Sequence, residues 1–327
     1  MDAKQVRRHF SLLGFTFLLG IAIIYALNYV MEQVCLWKPE LVTDANRALI
    51  LSVLPMYLLG MPALIWLVRR IPGETPVQHS MKPGHFIQGY IICVPLMYGS
   101  NIIGLIITSV IGMLKGSPVE NQVSTILDNT NLGVIFFVTV ICAPIYEEYI
   151  FRKLVVDRTV KYGKSVAVLL SGIMFGLFHG NLNQFVYATL LGMFLAFIYV
   201  NTGKLRYSIG LHMLVNFMGG VASTWLLRQM NLEEITMLEQ AGVSEEQPMT
   251  VYMENLPGIM MFGAFFLLII CLGIAGVVLL VLHRKKLVLP RQESDIPRGK
   301  AFSWVLCNAG MILYCIFWIG KIVYQLL

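Results

Sequence analysis

The sequence predicts an all-α, polytopic transmembrane helical bundle of about nine spans with a cytoplasmic N-terminus. Three observations carry this expectation. Of 327 residues, 57% are hydrophobic and 13% charged, about half the charged share of a soluble domain, roughly 25%. The apolar residues fall in runs close to the ~20 residues that a spanning helix needs. The charged residues between the runs alternate in sign from one loop to the next, with Lys38, Arg47, Lys115 and Arg228 as scattered exceptions on the acidic side.

The candidate spans are 10–31, 49–68, 86–113, 133–155, 166–178, 185–200, 207–227, 258–282 and 302–322. The fifth and sixth are short and joined by little more than Gly180-Asn181-Leu182-Asn183-Gln184. They read either as two crossings or as a helical hairpin that ends inside the protein. Basic residues gather before the first span (Lys4, Arg7, Arg8) and after the second (Arg69, Arg70, Lys82). They recur after the fourth (Arg158, Lys161, Lys164), the sixth (Lys204, Arg206) and the eighth (Arg284, Lys285, Lys286). The opposite loops hold Glu32, Glu40 and Asp44, then Glu120 and Asp128, then Glu233, Glu234, Glu239, Glu245, Glu246 and Glu254. By the positive-inside rule the basic loops face the cytoplasm.

Four regions are expected along the chain: an N-terminal membrane region over 1–130, a core over 131–228, an acidic external loop over 229–256 and a C-terminal membrane region over 257–327. The loop Ile71–Lys82, punctuated by Pro72 and Pro76, reads as an ordered or surface-lying cytoplasmic segment. The first span is too long, and too poor in small residues at its end, for a cleaved signal peptide, and is read as retained. The net charge of +6 does not argue for nucleic acid. The basic residues flank apolar spans, where they read as orientation signals and lipid-headgroup contacts. The expected setting is a cell membrane, with lipid as the surrounding partner. The six cysteines form no CxxC and imply no disulfide framework.

Chemistry is concentrated in three spans. Tyr146-Glu147-Glu148-Tyr149-Ile150-Phe151-Arg152 closes a long apolar run, and ionisable groups in a bilayer mark a functional site by default. Glu148 and Arg152 are four residues apart and pair along one helix face. Glu147 is turned by about 100° and has no such local partner, so it is the carboxylate expected to face a polar cavity. Pro144 lacks an N–H and favours a kink beside the site. In the fifth span, Gly172, Gly176 and Gly180 form a smooth stripe for close helix approach, with Phe175 and His179 next to it. In the seventh, His212 and Asn216 are four apart and present two donors suited to a developing oxyanion.

A free carboxylate, a histidine on a neighbouring helix and a His/Asn donor pair suit water-mediated attack on a carbonyl. No GxSxG elbow appears, and no cysteine neighbours these histidines, so a covalent nucleophile is disfavoured. HExxH is absent too. No cofactor is called for; a zinc site from His179, His212 and Glu147 stays chemically open, without a diagnostic ligand spacing.

These residues resemble the three motifs of the CPBP intramembrane proteases, the family of the type II CAAX prenyl endopeptidases and of bacterial relatives linked to bacteriocin immunity. The matching residues are Glu147-Glu148-x-x-x-Arg152, Phe175-x-x-x-His179 and His212-x-x-x-Asn216, and the resemblance runs from about Val134 to Phe217. It implies a glutamate-dependent endopeptidase acting on a membrane-associated protein or peptide. Glu147 would activate water, His179 would position it, and His212 and Asn216 would form the oxyanion hole. Glu148, Arg152 and Phe175 would support them. CAAX cleavage itself is not carried over, since prenylated substrates are chiefly eukaryotic.

Other readings of the same residues stay open. Glu148 and Arg152 read more readily as a structural ion pair than as direct chemistry. Glu147 could be a desolvated, protonated carboxyl, and single histidines or Asn216 could be interhelical hydrogen-bond residues. A non-catalytic immunity or scaffold protein, and a proton-coupled transporter, are the competing functions. One geometric tension stands out. At about 1.5 Å per residue, His212 lies roughly 8 Å into its span and His179 about 20 Å, depths that converge only if the fifth helix is tilted or starts outside the hydrocarbon.

Overall fold

The computed structural model describes residues 2–119, 129–230, 246–293, 295–297 and 299–326, side chains excepted at 246–252. Among the described residues the regular structure is helical throughout. Eight helices are long and apolar enough to cross a membrane. We label them with the short fifth helix in chain order: α1 (Ala3–Trp37), α2 (Ala45–Arg69), α3 (Pro83–Lys115), α4 (Leu132–Tyr162), α5 (Lys164–Phe178), α6 (Leu182–Thr202), α7 (Leu205–Arg228), α8 (Met253–Leu282) and α9 (Ala309–Leu326).

Each expected span is present, with two differences. The fifth, α5, has 15 residues, below the ~17–25 of an ordinary crossing. The last expected span is broken. A short helix, Ala301–Val305, stops before Asn308, and α9 starts afresh at Ala309. Asn308 accepts from the Met311 N–H at 3.1 Å through Oδ1 and donates to the Val305 carbonyl at 2.7 Å through Nδ2. One side chain thus caps both helix ends, satisfying groups that a break would otherwise orphan. The acidic stretch 231–245 lies outside the described residues, as do Glu120 and Asp128.

Helical periodicity explains the packing of α1. Val6, Phe10, Leu13, Phe17, Ile21 and Ile24 are buried, spaced at three and four, so they form one stripe. That stripe meets Met61, Leu64 and Val68 of α2 and Met311, Tyr314 and Trp318 of α9 in one core. The close crossing of α1 and α9 occurs where Gly14 faces the backbone of Gly310. In contrast, α8 leans on α3 through Gly276, which sits against Ile91 and Pro95, and leaves most of its surface exposed.

The glycine stripe of α5 acts at the α5–α6 contact. A Cβ at Gly172 would lie 2.8 Å from the Thr189 carbonyl oxygen, and one at Gly176 would lie 2.9 Å from that of Phe185. Only glycine permits that approach. Gly180 belongs to the turn instead: its φ is +65°, in the left-handed region that glycine favours. The turn lets α6 fold back along α5.

Four stretches depart from α geometry, with the turn widened to i→i+5: Met56–Gly60, Phe136–Cys142, Tyr149–Val156 and Phe217–Ala222. Widened turns gather at functional sites. The first carries Tyr57 and the third Arg152, both within electrostatic reach of Glu147; the second carries Thr139, whose carbonyl takes the side chain of Asn216, immediately before the fourth.

The loop after α2 is ordered. Asp157 accepts from Thr75 Oγ1 at 2.9 Å, Lys153 Nζ at 2.6 Å and Tyr199 Oη at 2.8 Å, while its carbonyl takes the Glu74 N–H at 2.6 Å. Farther on, the His79 N–H reaches the Thr202 carbonyl at 2.8 Å and the Met81 N–H reaches Tyr207 Oη at 3.0 Å. The loop is therefore a strap across the ends of α4, α6 and α7, held by satisfied backbone groups.

Candidate active site

α4, α5 and α7 bring the three sequence motifs together. Glu148 and Arg152 are fully buried, with Nη2 3.0 Å from Oε1. The guanidinium also lies over the Phe175 ring, 4.4 Å from its centroid. None of the Arg152 guanidinium nitrogens makes a well-aligned hydrogen bond among the described residues, so the ion pair with Glu148 and the aromatic face carry most of the compensation for that buried charge.

His212, buried on α7, sits between the two adjacent glutamates. Its Nδ1 is 2.9 Å from Glu148 Oε1 and its Nε2 is 3.6 Å from Glu147 Oε2. An ionised carboxylate only accepts, so Nδ1–H donates to Glu148 and fixes the ring. The contact to Glu147 is beyond a direct hydrogen bond. A small polar molecule lodged against both groups would touch each. The two carboxylates also differ in setting: the Glu147 side chain is 16% exposed and Glu148 is 0%.

His179 directly follows α5. Its Nδ1 donates to the Phe175 carbonyl at 2.9 Å, which leaves the Nε2 lone pair free to accept. The ring meets Phe175 edge-on at 4.8 Å, and Phe175 meets His212 edge-on at 5.7 Å. Phe175 is thus the aromatic partition that both imidazoles and the Arg152 guanidinium share. His179 lies within electrostatic reach of Glu147 and His212. Both imidazoles meet the one Phe175 ring, so they lie close together despite the unequal depths expected from the sequence.

Asn216 is placed differently from expectation. Its Nδ2 donates to the Thr139 carbonyl at 2.8 Å, across to α4. The widened turn explains why that carbonyl is available. Ala143 N–H reaches back to Val138 O, and the next residue, Pro144, would serve Thr139 but has no N–H. Asn216 fills the place that Pro144 leaves empty. His212 and Asn216 therefore do not stand as two free donors. Both His212 nitrogens face carboxylates, and one N–H of Asn216 is committed to α4.

Ser208 was not legible as part of this site. It is fully buried, one turn before His212, on the side of the Glu148 carboxylate. It also lies 3.0 Å from the Leu205 carbonyl. Its spacing of four from His212 was the available signal. Among the described residues, no three His, Cys, Asp or Glu side chains gather closely enough to form a metal-ligand set. His179, His212 and Glu147 are thus neighbours without ligand-set geometry.

Fold and site define a helical membrane protein with a carboxylate–imidazole cluster enclosed between helices. Residues 129–218 match the family model described as type II CAAX prenyl endopeptidase Rce1-like. The chain is similar to "Membrane-embedded CAAX protease MroQ" of Staphylococcus aureus (strain USA300), 26% identical over 234 residues, covering 67% of this chain and 92% of the relative. It is also similar to "Putative membrane peptidase YdiL" of Bacillus subtilis (strain 168), 27% identical over 162 residues. That match spans 47% of this chain and 63% of the length of YdiL. No solved structure matches. The family model and the relatives agree with the resemblance of the three motifs to the CPBP intramembrane proteases over the stretch 129–218. With eight apolar helices and bacterial membrane relatives, this is an integral bacterial membrane protein.

Proposed function

We propose that the protein is an intramembrane endopeptidase in which Glu147 acts as general base on water. The observation that carries the proposal is the position of His212, bridging a fully buried, Arg-paired glutamate and a second, partly exposed one. Two like residues in unlike settings take unlike roles: Glu148 holds the imidazole, and Glu147 is left to move protons.

The steps follow from the available atoms. Water bound against Glu147 accepts further orientation by donating to His179 Nε2, whose lone pair the Phe175 carbonyl contact leaves open. Glu147 takes one proton as the water oxygen adds to the peptide carbonyl carbon. The carbonyl oxygen gains the negative charge, and the remaining Asn216 N–H is suited to donate to it. Glu147 then returns its proton to the amide nitrogen, the C–N bond breaks, and a carboxylic acid and an amine leave. His212, clamped by Glu148 through Nδ1–H, keeps the Nε2 lone pair beside Glu147, where it can accept from the carboxyl while Glu147 holds the proton.

The substrate reading is a membrane-associated protein or peptide, reached from the side that carries the basic loops, which we assign to the cytoplasm. The test is cleavage of a panel of internally quenched peptides, each bearing an amphipathic membrane-binding segment, by the full chain in lipid nanodiscs. Wild type should cleave members of the panel and E147Q should not. Equal cleavage by the two would remove the base. A cellular phenotype that survives E147Q would favour the non-catalytic scaffold.

A further inference from the structure

We infer that Tyr187 is a further catalytic hydrogen-bond donor, polarising the carbonyl oxygen of the peptide bond under attack; this rests on the peptidase reading above. The need for such a group comes from the site itself. His212 points both nitrogens at carboxylates, and Asn216 spends one N–H on Thr139. A single amide N–H is left where acyl-transfer sites typically aim more than one donor.

Tyr187 meets the requirement through a directional chain of hydrogen bonds that begins at the site. Asn181 Nδ2 donates to the His179 carbonyl at 3.1 Å and to Gln184 Oε1 at 2.6 Å. The Asn181 Oδ1 accepts the Gln184 N–H at 2.8 Å as the helix cap of α6. With its oxygen engaged, Gln184 must present Nε2 to Tyr187 Oη, 2.8 Å away. An amide NH2 only donates, so the phenol oxygen accepts and its own proton is left to give elsewhere. Each link fixes the next, which makes the Tyr187 proton a preorganised donor.

Its placement is also right. Tyr187 lies in the second turn of α6, which folds back from His179 along α5, so it returns to the level of Phe175 and His179. It packs on the same aromatic core as Tyr57, Tyr146 and Phe178 and is partly exposed. Both Tyr187 and Tyr57 lie within electrostatic reach of Glu147. Among the described residues Tyr57 has no chain of oriented partners like that of Tyr187, so the assignment goes to Tyr187. A neutral phenol in this position donates a hydrogen bond and transfers no proton; the reaction's atoms balance as written above.

The experiment uses wild type, Y187F, Q184L and E147Q of the full chain in nanodiscs, with the peptide panel. Y187F keeps the ring and removes only the donor. It should lower kcat by about a hundredfold, the scale of losing one oxyanion donor, with KM and the thermal unfolding midpoint near wild type. Q184L, which frees the hydroxyl to rotate, should lower kcat by a smaller factor. Wild-type kcat in Y187F overturns the inference while leaving Glu147 as base. Equal rates in E147Q and wild type overturn the underlying reading instead. A turnover-free readout is binding of a tri-leucine peptide aldehyde, whose hydrate has the tetrahedral carbon. Y187F should weaken it severalfold, and unchanged affinity would contradict the role.

Discussion

Asn216 on α7 donates from Nδ2 to the carbonyl of Thr139 on α4 at 2.8 Å, in the place of the backbone N–H that Pro144 lacks. This contact locks the helix bearing His212 to the helix bearing both glutamates. It is a specific consequence of a proline next to a widened turn, and it can be reversed by design.

Asn216→Ala should destabilise the protein by about 1 kcal/mol, the scale of losing a hydrogen bond to a part-buried carbonyl. Pro144→Ala restores an N–H at the position facing Thr139. In that background Asn216→Ala should be milder, and a double-mutant cycle by thermal unfolding in detergent measures the difference. Strict additivity would contradict the account.

Glu148 and Arg152 predict a strong asymmetry between single and double changes. Glu148→Gln strands the buried guanidinium and should cost about 3–5 kcal/mol. Replacing both by uncharged residues, Glu148→Gln with Arg152→Met, should recover much of that stability without restoring activity, because His212 then has no carboxylate to fix Nδ1. Unfolding midpoints and peptide cleavage report the two arms separately.

Gly176 faces Thr189 and the Phe185 carbonyl so closely that a methyl has no room. Gly176→Ala should force α5 and α6 apart, at a cost of about 1–3 kcal/mol or more, and should impair cleavage through the His179 turn. Gly263, whose Cβ would meet nothing, is the control: Gly263→Ala should be silent. Equal behaviour of the two variants would refute the close-packing role.

Asp157 ties the strap Ile71–Lys82 to α4 and α6. Asp157→Ala should release it. Protease cleavage after Glu74, measured with a glutamate-specific protease on intact protein, should then accelerate severalfold, while Asp157→Glu should be intermediate. Unchanged cleavage would mean that the strap is held by its backbone bonds alone.

Much of this architecture was legible in the sequence because runs of about 20 apolar residues have one outcome in a bilayer. The break at Asn308 was not, since Leu306-Cys307-Asn308 lies inside an apolar run and nothing in hydropathy marks a cap. The pairing of Glu148 with Arg152 followed from a spacing of four and survives even on a widened turn. Contacts between helices were less accessible. No local pattern says that His212 reaches back to both glutamates, or that Asn216 answers a carbonyl on α4. Pro144 hinted at a distortion, yet the side chain that answers it, Asn216, lies 77 residues beyond the Thr139 carbonyl it meets. Tyr187 in an apolar helix reads as core until Gln184 is seen to orient its hydroxyl.

The central claim is that Glu147 moves the proton of the attacking water, and E147Q tests it most directly. The substitution keeps shape and removes basicity, so the nanodisc-embedded variant should unfold at nearly the wild-type temperature. Its kcat on the quenched peptides should fall by at least about a thousandfold, within the range for loss of a positioned general base. An E147Q protein that is folded and still cleaves at the wild-type rate would contradict the account.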